Sequence, residues 1–510
     1  MRRSFLLVSC VLVATWCGTV GAQGQPEGQL TIAFDASIAP TFLDPAETPG
    51  IGTPFVFLYA MHDALIKPLP GNDMAACLAE AWKESPDGLA YEFKLRQGLK
   101  FHNGDPFTAD DVKFSFQRYK GASAKLLHER VKSVDVLDPY RVRFVLDKPW
   151  PDFMVFYASP ATGAAWIVPR KYIEKVGEDG FKRHPIGLGP YRFVRQSPGL
   201  ELVLEANEQY WRKKPSIKTV VIKGVPDRTT RLAMLKTGEA DIGYLMVGVE
   251  AATIRADPKL RLAKTIPPAV WWLDFSEQWN QKSPWRDRRV RLAANLAMDK
   301  QAINDAERLG FSRLTGSIIP SAMDFALRIE PYGYDPAQAK RLLTDAGYPN
   351  GFDAGDISPL PPFTTMGEAV ANYLAAIGIR SRVRAMERAA FMESYRAKKL
   401  QGVIVMVSAA PGNTAARLES FVVSNAPFAY GGYPDIDDLY LQQAQERDRK
   451  KRETLLTQIQ RLMHERVMFG PIFEPATLHG IGPRVEEPAV GLSPQLYFTA
   501  PWEDIRLKKQ

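Results

Sequence analysis

The sequence predicts an α/β fold with mixed sheets. Stretches with the two-residue alternation of strands interleave with helix-period segments along the chain, and several helices carry explicit start and stop residues. The 510-residue length, at 45% hydrophobic composition, holds more apolar material than one core uses, so two or three domains are expected. Neither repeats nor a low-complexity linker occur, which points to domains joined by crossing strands rather than by a tether.

The elements follow in order. In "LTIAFD", Leu30, Ile32 and Phe34 alternate as on a half-buried strand. Tyr91, Phe93 and Leu95 of "YEFKL" repeat the pattern, as do Val142, Phe144 and Leu146 of "RVRFVL". Between these two strands lies "GLKFHNGDPFTADDV", whose His, Asn and three Asp look catalytic at first sight. Each has a structural reading instead. Asn103-Gly104 signals a turn, Pro106 fixes the exit, and Thr108 with Asp111 forms a capping box for a helix burying Val112 and Phe116. Asp110 sits in the first turn, where the helix dipole favours an anion. Further on, "VVIKGV" and "GVIVMVS" read as strands buried on both faces. "RTTRLAMLKTGEADI" reads as a helix with Leu232 and Leu235 on one face. Asp335-Pro336 opens another, with Ala339, Leu342, Leu343 and Ala346 as its buried stripe and Gly347 as its end.

The N-terminus reads as a cleavable signal peptide over residues 1–22. Arg2 and Arg3 form a basic start, Phe5 to Trp16 a short apolar run, and Val20-Gly21-Ala22 a small-residue cut site before Gln23. The apolar run is too short to span a bilayer, and no later run approaches the roughly 20 apolar residues that spanning requires. Cys10 and Cys17 fall in this leader, so the mature chain would keep only Cys77 and no internal disulfide. An exported chain of this size without disulfides suits the bacterial periplasm. Arg2 and Arg3 also carry two of the eight net positive charges, leaving about +6 on the mature chain. Basic clusters at Arg286 to Arg291 and Arg447 to Arg452 read as solvated faces, and no basic run interleaved with aromatics indicates nucleic acid.

Enzyme signatures are missing from the sequence. None of the six histidines pairs with another at i, i+4 spacing, and no nucleophile elbow, Walker loop or dinucleotide glycine fingerprint occurs. A carboxylate pair of glycosidase type stays open, because nothing in the sequence selects or excludes one. No metal and no cofactor are expected.

A resemblance supplies the function. "LAEAWKESPDGLAYEFKLRQGLKFHNGDPFTADDVKFSFQRY" (Leu78 to Tyr119) resembles the signature region of the family 5 extracytoplasmic solute-binding proteins. "GLGPYRF", "NEQYWRKKP", "DRTTRLAMLKTGEADI", "PWRDRRVRLAANLAMDKQAI" and "YDPAQAKRLLTDAGYPNGF" follow in the family's order. This peptide, nickel and opine group feeds ABC importers. The resemblance implies a two-lobed periplasmic-binding-protein fold, large and type II-like, with mixed sheets and two crossover hinges. Residues 23–266 with 479–510 would form the first lobe, including an extra subdomain, and residues 267–478 the second. "TIPPAVWWLDF" and "GPIFEPATLHG" would be the crossovers. The partners implied are a small-molecule or peptide-like solute and an inner-membrane ABC permease, with the protein a monomer and not an enzyme. A secreted hydrolase on a similar frame, and a sensor that never feeds a transporter, are the rival classes.

The same resemblance bears on the ligand. Family peptide binders carry a segment resembling G-W-x-x-D-Y-P-D-P, whose first Asp pairs with the peptide ammonium. Here the corresponding segment is "MVSAAPGNTAARLESF", Met406 to Phe421, with Val407 at the Trp position and Ala410 at the Asp position. No acid lies between Glu393 and Glu419, and Arg417 brings a cation where the family has an aromatic. The expected ligand is therefore not a plain free-amine peptide but an opine-like compound, glycoside, modified peptide or aromatic solute. A di- or oligopeptide held by a replaced amine anchor is the alternative. Candidate contacts are Ser37, Thr41 and Phe42 after the first strand, Trp271 and Trp272 at the first crossover, Phe363, Asn413, Arg417 and Tyr430. Adjacent strand residues face opposite sides. Either one of the two tryptophans faces the ligand and the other the core, or both are core. Arg417 likewise reads as a ligand contact or as a surface residue on a helix.

Overall fold

The computed structural model describes residues 25–47, 53–158, 162–409, 412–493 and 496–509. The expected leader and Ala410 lie outside these residues. Two large sheets carry the fold. The seven-stranded one runs in the order Arg261–Thr265, Thr477–Ile481, Ile242–Gly243, Glu27–Phe34, Ile217–Gly224, Glu201–Ala206, Tyr191–Ser197. Its centre is parallel: Glu27–Phe34 pairs with Ile217–Gly224 on one side and Ile242–Gly243 on the other. Such a strand has both faces covered. This corrects the expectation of a half-buried strand: Thr31 and Ala33 are buried along with Ile32 and Phe34.

The six-stranded sheet runs Arg313–Leu314, Phe469–Glu474, Val270–Phe275, Val403–Ser408, Phe352–Pro359, Ile379–Val383. Phe352–Pro359 is parallel to both of its neighbours. Each sheet anchors a lobe with its own core. Two connections pass from one sheet to the other, Ile266 to Ala269 and Pro475-Ala476. A four-stranded antiparallel sheet, Ala79–Glu84, Ala90–Leu95, Arg141–Leu146 and Val131–Asp138, joins the first lobe's core.

The catalytic-looking stretch is scaffold of this lobe. The capping box forms: Asp111 Oδ2 accepts from the Thr108 N–H at 2.9 Å. His102 Nε2 lies 3.0 Å from the Gly189 carbonyl, and its Nδ1 accepts from the Gly187 N–H at 3.3 Å. One signature motif thus clamps the next. Both glycines of "GLG" are compulsory, because a Cβ would come within 2.0 Å of Met61 O at Gly187 and 2.5 Å of Met61 C at Gly189.

The basic clusters correct the expectation of solvated faces. Arg286, Arg288, Arg289, Arg447 and Arg449 are exposed, but Arg291 and Arg452 are buried. Arg291 donates to the carbonyls of Trp285, Arg286, Arg466 and Val467. Carbonyl groups left over at chain reversals satisfy a buried guanidinium as well as water does, and sequence periodicity carries no sign of them.

Candidate functional site: the cavity between the lobes

Where the two connections run between the lobes lies a cavity of about 70 Å³. Its position follows from topology. Asp35 follows the parallel strand Glu27–Phe34, Leu360 and Phe363 follow Phe352–Pro359, and Val407 and Ala409 end Val403–Ser408. The cavity therefore lies outside the carboxyl ends of parallel strands from both sheets, the place where open α/β sheets leave a crevice for ligands. Pro267, Ala269, Trp271, Pro475 and Thr477 of the connecting strands form its floor, and Tyr497 adds an aromatic wall.

The charges in it are poorly matched. Asp35 is 5% exposed, and its Oδ1 has no hydrogen-bond partner. Burial pushes its carboxyl above the usual carboxylate range, against the pull of Arg231 and Arg388. Arg308, the last residue of helix Lys300–Arg308, is 4% exposed and its Nε is unpartnered. Burial pulls its guanidinium down to about 10. Arg388 donates to the Pro361 carbonyl at 3.2 Å. Among the described residues, no ion pair engages any of these three. Arg417 lies just beneath the floor. Its Nη2 reaches the Pro268 and Ser408 carbonyls at 3.5 and 3.3 Å, its Nη1 has no partner, and burial pulls it down to about 9. The rings of Trp272 and Phe421 flank it at 5.9 and 5.6 Å.

The residues singled out in the sequence divide around this cavity. Trp271 and Phe363 line it, edge to face at 5.1 Å. Trp272 points to the opposite side of the sheet and packs on Phe421 in the second lobe's core. Arg417 is buried, which removes the surface-residue reading. Ser37 and Thr41 are exposed, and Phe42 stacks on Phe57 at 5.9 Å against the first lobe's core. Tyr430 accepts from the Leu400 N–H and lies over Tyr395, away from the cavity. Asp35, Arg308 and Arg388 were not singled out. Only one signal could have found Asp35: it is the first charge past the strand read in "LTIAFD", and the carboxyl end of a strand in an open α/β sheet opens into a crevice.

Asn413 has another task. Its Oδ1 caps helix Thr414–Phe421 by accepting from Ala416 N–H at 2.9 Å, while its Nδ2 donates to Asp152 Oδ1 of the first lobe at 2.8 Å. Asp152 Oδ2 accepts from Arg452 Nη2 at 2.6 Å. The two charged side chains are 3% and 8% exposed. Beside them Ala416 packs on the first lobe's core, and Arg447 reaches the Pro86 carbonyl at 2.9 Å. The lobes are thus in contact beyond the cavity, in a closed arrangement.

Residues 73–428 match the family model described as bacterial extracellular solute-binding proteins, family 5 Middle. The chain belongs to this family. Among its relatives, heme-binding protein A of Haemophilus influenzae is 29% identical over 451 residues, 81% of each chain. Glutathione-binding protein GsiB of Salmonella typhimurium is 33% identical over 337 residues, 64% of each chain. The fold superposes on DppA of Helicobacter pylori, an ABC transporter-associated periplasmic binding protein in complex with the peptide STSA, with a TM-score of 0.81 and 25% identity. That match covers 95% of this chain and 98% of DppA. The two-lobed architecture is thus that of the family's solved members.

Proposed function

We propose that this protein captures a solute between its lobes in the periplasm and delivers it, chemically unchanged, to the permease of an ABC importer. The lobes are taken as residues 23–266 with 479–510, and 267–478, in a monomer. A ligand touching both lobes favours the closed arrangement by its differential affinity for it. We further propose that this ligand carries more carboxylate than ammonium groups, as an opine-like compound or an acidic modified peptide does. One observation carries this reading. Arg308 and Arg388 line the cavity and Arg417 lies beneath it, and among the described residues Asp35 is the only carboxylate that lines it. A buried cation without a counter-charge is costly, so a ligand of excess negative charge fits best. Glycosides, which bring no charge, fit less well. The absence of an acid between Glu393 and Glu419 supports the same reading.

Asp35 favours a second reading, a carrier of ordinary peptides with a replaced amine anchor. Calorimetric titration separates the two. An N-(1-carboxyethyl) amino acid should bind at least tenfold more tightly than an apolar dipeptide, and both should be recovered unchanged. Equal or tighter binding of the dipeptide would establish the second reading, and conversion of either compound would show an enzyme.

A further inference from the structure

Asp35 and Arg308 are a buried acid and a buried cation lining one cavity from opposite lobes, and each keeps one side-chain atom, Asp35 Oδ1 and Arg308 Nε, without a hydrogen-bond partner. The surroundings explain why each stays bare. Arg231, behind Asp35, spends Nη1 on the Val225 and Pro226 carbonyls at 2.6 and 2.9 Å and Nη2 on the Leu245 carbonyl at 3.2 Å. Arg388 is turned to Pro361. Among the described residues no ion pair joins Arg308 to Asp35, and Asp35 Oδ1 and Arg308 Nε each lack a hydrogen-bond partner. Trp271, Leu360 and Phe363 give the same cavity apolar walls. Buried polar groups are normally hydrogen-bonded, and those that are not call for an explanation. Two of opposite sign facing one space are explained by a molecule that brings the complementary charges.

We infer that Asp35 is the partner of the ligand's ammonium group and Arg308 that of a ligand carboxylate, so that the ligand lies across the cleft with its amine toward the first lobe. This rests on the reading of the cavity as the ligand site. It deepens that reading by making an ammonium, as well as excess carboxylate, a requirement: the ligand is an amino-dicarboxylate with an apolar middle rather than a simple dicarboxylic acid. A ligand of this polarity draws one charged group from each lobe, which couples its recognition to closure.

The test is titration calorimetry on the mature chain with two probes, N-(1-carboxyethyl)leucine and Leu-Leu, each also in its N-acetylated form without the ammonium. The wild type should bind the ammonium form of its better probe about 100-fold more tightly than the acetylated form. Asp35→Asn, of the same shape, should reduce that ratio to about threefold or less. Arg308→Gln should weaken both forms about equally and leave the ratio unchanged. Asp35→Asn should also keep the melting temperature or raise it, because it relieves a buried unpaired carboxylate, whereas a structural Asp35 would lower it. A ratio that survives Asp35→Asn overturns the inference. Tighter binding of Leu-Leu overturns the excess-carboxylate reading alone, since the ratio is then read on Leu-Leu. If neither probe binds, both the ligand class and the inference fall.

Discussion

Replacing Asp152 with alanine should loosen the closed arrangement without touching the cavity. Asp152 accepts two charge-assisted hydrogen bonds across the lobe boundary, one from Arg452 at 2.6 Å and one from Asn413 at 2.8 Å. Each is worth about 1.5–3 kcal/mol, because the acceptor is a carboxylate. The variant leaves Arg452 buried against Gln443 and the Phe325 ring with no counter-charge. Breaking a buried pair in this way costs about 3–5 kcal/mol. Opening the lobes lets Arg452 reach water, so the lower figure is the relevant one. About 3 kcal/mol corresponds to roughly a 150-fold shift from closed to open. Small-angle scattering of the ligand-free variant should give a larger radius of gyration than that of the wild type. Its affinity for any cleft ligand should fall, mostly through faster dissociation. An unchanged radius of gyration together with an unchanged dissociation rate would refute the argument, because the bridge would then contribute nothing to closure.

Three further outcomes follow from the fold. Burial holds His102 at about 3 and His62 at about 4, both below the ordinary value, so the unfolded chain binds the extra protons. Stability is then complete above about pH 6.5 and declines as pH falls, by up to about 1.4 kcal/mol per pH unit for each histidine. His102→Gln, which can still donate to Gly189 and accept from Gly187, should flatten that decline in chemical denaturation between pH 6.5 and 5. Asp274 is shifted the other way, up to about 6, by burial that outweighs the hydrogen bond from the Tyr395 hydroxyl. Here the folded state holds the proton, so stability falls as pH rises from about 4 to 6. Asp274→Asn should therefore gain on the order of 2 kcal/mol at pH 7 and nothing at pH 4, read from denaturation midpoints. Gly189→Ala would place a Cβ 2.5 Å from Met61 C and 2.7 Å from Ala60 O, and should cost about 3 kcal/mol or abolish folding, visible in melting temperature or soluble yield.

The residues differ in how far the sequence could place them. Elements built from local rules were legible. The alternation in "LTIAFD" gave the strand Glu27–Phe34, Thr108 and Asp111 gave their capping box, and Asp335-Pro336 gave the start of helix Pro336–Asp345. Trp271 and Trp272 showed how far a local rule reaches: period two separated their faces, but only the tertiary arrangement decided which face meets the cavity. The charged residues were mostly illegible. Arg452 in a run of basic residues reads as solvated until Asp152, 300 positions away, covers it. Arg308 and Asp35 look like a helix-end cation and a loop acid, because burial without a partner is a property of the closed lobes and not of any window of sequence. Asn413 is expected as a ligand contact, but it caps a helix and donates to Asp152, a division that depends on the lobes meeting.

The central claim, that the cleft takes a carboxylate-rich solute, is tested most directly by thermal unfolding of the protein against two ligand panels. One holds free-amine di- to pentapeptides without acidic side chains, and the other opines and acidic modified peptides. A ligand at about 100 times its dissociation constant adds roughly 2.7 kcal/mol, a visible rise in melting temperature. The account predicts a rise with members of the second panel and little or none with the first. A rise with the plain peptides that equals or exceeds it would contradict the account and show that the unmatched arginines of the cavity do not select the ligand.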